Sequence, residues 1–437
     1  MPFRRMESTR VDSRNGGSAI VPFNRLETSS RDLVAALSCF WHSDPLAALR
    51  EMLEEMTGQR PVILAPSGES AIAQILLSLP QQEVVMPAYL CGEVRRAALI
   101  AGKRVIYVDL AKHSVNATSA EFAREAQPGR ILLAVHAYGV PTDIEAICEL
   151  AKSRGCVTIE DAVPAFGGRY NGRLLGTFGD FGIFSFQHSK RVPALRGAAI
   201  VVNNSQIVDP VKLAAIKVTE TKRAFPIGVL CFAVAQNLAT TPWVYRSLLL
   251  PLLPMRDLPR RLMRRIHPPP ARPHADAPVP NPGAQAGANP QKPQPRTPYY
   301  TREMHPYQAE LAQRVLGRWN EIREQIARLA DTYLEVFRDT AIETFLPPGC
   351  DPAGLMRFPI ALPGKHQEQV LELARRRGLY LKVIWDRPLP AESEYPRFPN
   401  AVWTTRNLVL LPLYRTLSPE SAAQLAENVV EIEREPS

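Results

Sequence analysis

The sequence contains few cysteines, and none of them are spaced as a metal-binding or redox motif requires. Six cysteines are scattered over 437 residues, and no CxxC pair is present. This pattern is typical of reduced thiols, so we expect neither a disulfide framework nor a metal site. Interleaved basic and aromatic residues of the kind that bind RNA or DNA are also absent, which excludes a dedicated nucleic-acid-binding protein.

The first residues lack the apolar core of a secretory signal. Residues 1–15 are basic instead, as are residues 256–267, and together they account for much of the net charge of +9. We therefore expect a flexible basic N-terminal segment, a cytoplasmic location, and local contacts with anions such as nucleotide phosphates or lipid headgroups.

Long hydrophobic runs are rare, and the most prominent one is interrupted. Residues 224–245 contain no charged side chain, but Pro226, Gln236, Asn237 and Pro242 break the run, which argues against a full transmembrane span. Two interpretations remain open for residues 225–266. They form either a buried helical hairpin or dimer contact, or a segment that lies on the inner face of a membrane with its basic end on lipid headgroups.

Short apolar runs alternate with helical patterns between about residues 60 and 205. The predicted strands include PVILA, EVVMP, RVIYVDL, RILLAVHAY and CVTIED, and amphipathic stretches such as SAIAQILLSL and DIEAICELAKSRG lie between them. This alternation predicts the α/β class, with a mostly parallel sheet covered on both faces. Ligands of such sheets bind at the carboxyl ends of the strands, so the residues directly after each strand are the candidate site.

The rest of the chain divides by composition. Residues 267–298 are rich in Pro, Ala, Gln and Asn, which predicts a solvated, disordered loop, and a long helical period follows from residue 307 to 337. The expected organisation is a flexible segment at 1–30, a large domain at 31–222, a hydrophobic and basic helical insertion at 223–266, the Pro-rich loop at 267–298, and an interface helix with a small α/β domain at 299–437.

One lysine and one aspartate carry the chemistry. Asp161 ends a predicted strand in IEDAVPAFGG, and Lys190 follows in GDFGIFSFQHSK. A buried acid keeps a ring nitrogen protonated, and a lysine in an apolar pocket becomes a competent amine nucleophile. Pyridoxal phosphate is an electron-sink cofactor that requires both groups.

The order of these motifs resembles the DegT/DnrJ/EryC1/StrS family of pyridoxal-phosphate sugar aminotransferases. The resemblance covers most of residues 60–205 and 299–430, through APSGESA, VVMPAYLCGEVRRAALIAGKRVIYVDL, VHAYGVPTDIEAI, IEDAVPAFGGRYNGRLLGTFGDFGIFSFQHSK, YYTREMHPYQAEL and VLLPLY. It implies a fold-type-I transferase with a large, mostly parallel-sheet domain and a smaller C-terminal α/β domain. It also implies that Lys190 bonds to the cofactor and moves protons, and that Asp161 pairs with its pyridinium nitrogen.

The resemblance implies the remaining cofactor contacts as well. The cofactor-binding residues would be Ser67, Gly68, Glu69, Ser70, Cys91, Asp161, Pro164, Ser185 and Lys190. Of these, Ser67–Ser70 and Ser185 would hold the phosphate. Three positions depart from the family pattern. Glu69 replaces a threonine and is unfavourable beside a phosphate unless it points away, so Ser70 would supply the hydroxyl instead. Cys91 replaces an aromatic residue that stacks on the ring, and Pro164 replaces Gln or His.

Two further residues are candidates for the substrate. His136 ends a predicted strand near the expected cofactor, where it either touches substrate or serves as a structural imidazole. Arg302 either binds an anionic group of the substrate or forms an ion pair at a helix end.

The resemblance implies a function and its partners. We expect a homodimeric aminotransferase that transfers an amino group from glutamate or glutamine to a nucleotide-linked keto sugar in surface-polysaccharide or related glycan biosynthesis. Lys190 itself favours transamination, because the family dehydratases carry histidine at that position. Two alternatives stay open: a fold-type-I enzyme acting on a non-sugar substrate, and a cofactor-binding or membrane-associated scaffold of a glycan-assembly complex with little catalysis.

Overall fold

The computed structural model describes residues 21–23, 25–41, 44–216, 304–379 and 381–435, with the single positions Leu230, Cys231, Val234, Ala235 and Leu238. The Pro-rich loop, Arg302 and almost all of the hydrophobic insertion therefore lie outside the described residues. The same is true of residues 1–20.

A seven-stranded sheet forms the centre of the fold, with strand order β1-β9-β8-β5-β4-β2-β3. Its strands are β1 Val62–Ala65, β2 Glu83–Pro87, β3 Arg104–Val108, β4 Arg130–Val135, β5 Val157–Asp161, β8 Phe181–Ser185 and β9 Ala198–Val202. Strands β3, β2, β4, β5 and β8 are parallel, whereas β9 runs antiparallel to both of its neighbours. The predicted strands β1 to β5 are thus confirmed, and the sheet is mostly parallel as expected.

Two smaller sheets complete the strand list. A hairpin pairs β6 Arg169–Tyr170 with β7 Arg173–Leu174, and the C-terminal sheet contains β10 Glu343–Thr344, β11 Phe358–Ala361 and β12 Leu408–Leu411, all antiparallel. The C-terminal sheet and its helices form the smaller α/β unit that was expected beside the large one.

The helices cover both faces of the central sheet and support the C-terminal one. In the described residues they are Ser30–Ala35, Pro45–Met56, Gly68–Ser78, Gly92–Ile100, Ser119–Phe122, Ile144–Arg154, Pro210–Ala215, Pro306–Leu316, Trp319–Phe337, Gln367–Arg376, Pro399–Asn407 and Pro419–Arg434. Short 3-10 turns lie at Ala36–Phe40, Ala137–Gly139, Val163–Ala165, Pro352–Gly354 and Glu392–Arg397. Of these described helices, none combines the length and the apolar character that crossing a membrane would take.

Burial on both faces explains why the central strands are continuous apolar runs. In β4, Ile131 and Leu133 belong to one buried cluster, while Leu132 and Ala134 belong to the cluster on the opposite face. Successive side chains of a strand point to opposite faces, so burial on both sides makes β4 apolar at every position after Arg130. This packing fixes the strand ends, which carry the site.

Two segments differ from the sequence expectation. Residues 1–30 were assigned to a flexible N-terminal segment, but Val21, Phe23 and Leu26 are buried in the main core, where their apolar side chains are removed from water. The helical period from 307 to 337 is divided at Gly317, where the helix Pro306–Leu316 ends and Trp319–Phe337 begins.

Candidate active site

A cavity of about 500 Å³ opens at the carboxyl ends of the parallel strands. Its size is in the range of small-molecule sites. Of the predicted cofactor residues, those that line it are Ser67, Gly68, Glu69, Cys91, Asp161, Pro164, Ser185 and Lys190. The structure therefore brings together residues from four separate strand ends, as the topology of an open parallel sheet predicts.

One end of the cavity is a hydroxyl-rich helix N-terminus. Ser67 is the N-cap of the helix Gly68–Ser78, and its Oγ accepts a hydrogen bond of 3.1 Å from the backbone N–H of Ser70. A Cβ added to Gly68 would lie 3.5 Å from Oγ of Ser185, so the two strand ends meet here. Unpaired N–H groups and the helix dipole make such a terminus a binding site for an anion.

Ser70 supports this terminus from behind. It is buried, and its Oγ lies 2.9 Å from Oγ of Ser67. It therefore orients the capping hydroxyl and does not itself line the cavity.

The carboxylate of Glu69 is taken by an arginine. Glu69 is 5% exposed, and Arg96 on the next helix donates from Nη2 to Oε2 at 2.6 Å and from Nε to Oε1. This two-point contact is the strong geometry for an arginine and a carboxylate. The acidic residue beside the anion site is thereby neutralised by its partner.

Asp161 is the last residue of β5 and lines the cavity. It is 4% exposed, and its Oδ1 accepts a hydrogen bond of 3.0 Å from the N–H of Val163. Burial raises the pKa of Asp161, while this hydrogen bond and the positive charge of Lys190 oppose the rise. A cationic ring nitrogen would therefore be a favourable partner for this carboxylate.

Lys190 lies in the loop that joins β8 to the antiparallel β9. Its own N–H donates to the carbonyl of Gln187 at 2.9 Å, and the loop is closed by the N–H of Phe186, which donates to the carbonyl of Gly197 at 2.8 Å. The next residue, Arg191, is buried and donates to the carbonyl of Leu413 at 3.0 Å. The Lys190 loop is thus held by hydrogen bonds on both sides of the lysine.

Cys91 and Pro164 contribute the side walls. Cys91 is the N-cap position of the helix Gly92–Ile100, and burial raises the pKa of its thiol while the charge of Lys190 opposes the rise. Pro164 lies in the 3-10 turn directly after Asp161. Neither side chain offers a charged group, so the space between them suits the faces of a flat ring.

His136 lies outside the cavity, which argues against its predicted contact with substrate. The side chain is fully buried, its Nε2 lies 3.1 Å from Oε1 of Glu160, and its Nδ1 accepts from the N–H of Thr142 at 3.2 Å. Both ring nitrogens are therefore occupied within the protein, as in the structural alternative. Glu160 also accepts from the N–H groups of Gly176 at 2.6 Å and Phe178 at 2.7 Å, so the pair fixes the loop before β8.

Several cavity residues had no predicted role, among them two from the Lys190 loop and one from the C-terminal unit. His188 and Arg196 come from the Lys190 loop, and Trp385 comes from the C-terminal unit. Burial and the nearby charges of Arg196 and Lys190 lower the pKa of His188. Trp385 carries no local sequence signal, because only the docking of the two units brings it to the cavity.

Comparison with known proteins finds curated relatives over about a third of this chain. The chain is 33% identical over 147 residues to GDP-perosamine synthase of Escherichia coli O157:H7, a match that covers 33% of this chain and 40% of the relative. It is 31% identical over 159 residues to UDP-N-acetyl-3-dehydro-alpha-D-glucosamine 3-aminotransferase of Acidithiobacillus ferrooxidans, covering 36% of this chain and 43% of that one. In both matches the chain spans less than half of the relative's length.

Solved structures share the fold over nearly the whole chain. The aminotransferase TlmJ from Streptoalloteichus hindustanus superposes with a TM-score of 0.66 at 17% identity, covering 94% of this chain and 98% of that one. Helicobacter pylori PseC, an aminotransferase involved in the biosynthesis of pseudoaminic acid, superposes with a TM-score of 0.66 at 15% identity, covering 94% and 98%. At these identities the likeness confirms the fold-type-I architecture alone.

A family model matches residues 38–224 and 284–430. The first range includes β1 to β9, and the second includes the C-terminal sheet and Trp385. Since they span more than half of the sequence, this chain belongs to the DegT/DnrJ/EryC1/StrS aminotransferase family.

Proposed function

We propose that this protein is a pyridoxal-phosphate-dependent aminotransferase that converts a nucleotide-linked keto sugar to an amino sugar. One observation supports this most directly: Lys190, the buried Asp161 and the helix N-terminus at Ser67 line the same cavity. An amine, an acid for a ring nitrogen and an anion site are the three groups that this cofactor demands of its protein.

The residues present fit the cofactor. Its phosphate would be held by the hydroxyls of Ser67 and Ser185 and by the N–H groups that begin the helix Gly68–Ser78. Asp161 would face the ring nitrogen, and Cys91 and Pro164 would flank the ring, where the family more often places an aromatic residue and a hydrogen-bond donor. The neutralised Glu69 does not repel the phosphate as a free carboxylate would.

Each residue then has a defined part in transamination. When bound, pyridoxal phosphate supplies the electron sink that makes the proton on the reacting substrate carbon acidic. The amine of Lys190 takes that proton and returns it, as a general base and then a general acid. Asp161 would stabilise positive charge on the ring nitrogen, and the serine hydroxyls would hold the phosphate and so orient the ring.

The partners belong to the same proposal. The amino donor is glutamate or glutamine, the acceptor is a keto sugar on a nucleotide, and the product enters surface-polysaccharide or related glycan biosynthesis. The names of the two relatives refer to sugars linked to GDP and to UDP, which supports this class of acceptor. We further propose a cytoplasmic homodimer that touches the inner face of a membrane through residues 225–266.

The experiment that tests the function is a screen of keto-sugar nucleotides against simple 2-oxo acids, with glutamate or glutamine as donor. We expect amination of at least one keto-sugar nucleotide and an absorbance band from cofactor bound to lysine. Amination of 2-oxo acids alone would show a non-sugar enzyme. If neither the absorbance band nor any turnover is detected, the result would favour the alternative of a scaffold protein with little catalysis.

Variants of two lysines separate chemistry from folding. Lys190→Ala should lose the absorbance band and lower turnover by at least about 10²-fold, as loss of a general acid and base does. Lys212→Ala removes an exposed lysine on the helix Pro210–Ala215 and should change neither.

The membrane contact is tested by a deletion. Removal of residues 225–266 should release the protein from lipid vesicles, and unchanged sedimentation with vesicles would disprove the contact.

A further inference from the structure

Trp385 brings the C-terminal unit to the cavity. Its side chain lines the cavity together with Cys91 and Val163, although it follows both by more than two hundred positions in the sequence. The indole is half-buried, so part of it packs on the protein while part of it stays open to the cavity.

The indole rests on two buried tyrosines. Its ring centroid lies 4.7 Å from that of Tyr138, at an interplanar angle of 33°, and 5.3 Å from that of Tyr89, at 76°. Both tyrosines are almost fully buried, and such offset and edge-to-face contacts are the favourable geometries for aromatic pairs. These two contacts therefore fix the orientation of the indole on the side that faces the protein.

Hydrogen bonds fix the backbone around the indole. The hydroxyl of Tyr89 donates to the carbonyl of Trp385 at 3.3 Å, and the hydroxyl of Tyr138 lies 2.6 Å from that of Tyr89. Four residues later, the N–H of Leu389 donates to the carbonyl of Ala88 at 2.7 Å. Because Ala88 and Tyr89 follow β2 directly, the segment carrying Trp385 is tied to the same strand ends that hold the cofactor residues.

The two units contribute different kinds of side chain to the cavity, and this difference indicates which part of the substrate contacts the indole. The groups for the cofactor's phosphate, ring nitrogen and reactive carbon all come from the central sheet, at Ser67, Asp161 and Lys190. Among the described residues that line the cavity, Trp385 provides the only indole or phenyl ring, and it comes from the other unit. A sugar ring presents both a polar rim and an apolar C–H face, and an aromatic side chain covers such a face well.

We propose that Trp385 is a specificity-determining residue that packs against the sugar ring of the amino acceptor. This inference rests on the proposed function, because it concerns the acceptor of that reaction. It places the wall for the acceptor in the C-terminal unit, and it leaves the binding of cofactor and amino donor to the central sheet.

The test measures the two half-reactions separately in single turnovers, starting from the cofactor-loaded protein with donor and then from the aminated form with keto-sugar nucleotide. Trp385→Ala should raise the substrate concentration needed for half-maximal rate of the acceptor half-reaction about 10-fold. The donor half-reaction and the affinity for pyridoxal phosphate should stay within about twofold. Trp385→Phe keeps an aromatic face and should restore most of the acceptor affinity.

A matched control and a second variant keep the outcome decisive. Trp403 lies on the helix Pro399–Asn407 and packs against His113 at a centroid distance of 4.4 Å; Trp403→Phe should change neither half-reaction. If Trp385→Ala fails to fold, Trp385→Leu fills the space without a ring and should show the same selective loss. Equal losses in both half-reactions, or an unchanged acceptor half-reaction, would overturn the inference. Failure of the unmodified protein to aminate any keto sugar would instead overturn the proposed function.

Discussion

Glu69 and Arg96 form a two-point ion pair at the edge of the anion site, across two neighbouring helices. The carboxylate is buried, whereas the arginine side chain is 44% exposed. Glu69 lies in the first turn of the helix whose N-terminus forms the anion site. Without its partner, this carboxylate would repel a phosphate there. The pair thus explains how a carboxylate is compatible with this position.

Removal of the arginine should therefore weaken phosphate binding. We expect Arg96→Met to lower the affinity for pyridoxal phosphate about tenfold, or about 1.4 kcal/mol, since it leaves a buried carboxylate without its partner. The affinity for pyridoxal, which lacks the phosphate, should change little. Absorbance titration of the cofactor-free protein with both compounds provides the measurement.

A double variant tests the cause. Glu69→Gln combined with Arg96→Met should recover most of the affinity for pyridoxal phosphate, because the charge to be neutralised is gone. Glu93→Gln is the control, since Glu93 lies 4.0 Å from Arg96 but is exposed. A double variant as weak as Arg96→Met alone would contradict the explanation.

Asp161→Asn should stabilise the cofactor-free protein at neutral pH while abolishing transamination. Burial raises the pKa of Asp161 above its ordinary value of 3.8, so the folded protein binds this proton more tightly than the unfolded chain does. The resulting destabilisation is absent below the ordinary pKa and grows as the pH rises towards the raised one. We expect Tm to rise by about 2 °C at pH 7.5, and the gain to shrink as the pH is lowered towards 4.

Thermal unfolding of cofactor-free protein across this pH range checks the sign. Asp339→Asn, at an exposed position just after the helix Trp319–Phe337, should show no such trend. A gain that increases on acidification would contradict the assignment of Asp161 as a buried carboxylate under desolvation.

Ser185→Ala should weaken pyridoxal phosphate selectively. A hydroxyl hydrogen bond to a charged group contributes about 1.5–3 kcal/mol, so the affinity should fall at least about tenfold while pyridoxal binds as before. Ser153→Ala is the control, because Ser153 is exposed and its hydroxyl donates only to the carbonyl of Leu150. An equal loss for both compounds would place Ser185 away from the phosphate.

His136→Asn should cost stability and leave substrate binding unchanged. The substitution leaves Glu160 buried with an incomplete set of partners, which we expect to lower the free energy of unfolding by about 1–3 kcal/mol. The KM of both substrates should remain the same, because the imidazole does not line the cavity. Urea unfolding and steady-state kinetics give the two measurements.

A surface pair offers the comparison for His136. His113 also contacts a carboxylate, with 3.0 Å between Nδ1 and Oε2 of Glu343, but both side chains are exposed. His113→Asn should therefore change stability by less than about 1 kcal/mol. If His136→Asn instead raised KM without loss of stability, the result would indicate that His136 contacts the substrate.

The architecture was predictable where burial dictates sequence. Strands β2 and β4 are buried along almost their whole length, so each is an apolar run, and the helices between the strands keep a 3.6-residue period. The family order of motifs then indicated Asp161 and Lys190, and the structure brings both to one cavity. Local pattern and global fold agree in this half of the chain.

The remainder depended on contacts between distant segments. Nothing local in the sequence pairs Arg96 with Glu69, and nothing local brings Trp385 to the cavity, because each contact forms only when separate elements pack. The burial of Phe23 was missed for the same reason: a short apolar stretch beside a basic segment carries no periodicity, and its partners lie far along the chain.

The loop that carries Lys190 leaves the sheet at Ser185 and returns at Ala198, into the neighbouring antiparallel strand. Both ends of the loop are fixed by the ladder between β8 and β9. The position of Lys190 therefore depends on the number of residues between it and each end of the loop. An insertion or deletion of a single residue between these ends would displace the amine or break the ladder, whereas a substitution would not. For anyone who redesigns this protein, this stretch therefore has a fixed length, even where its side chains can be exchanged.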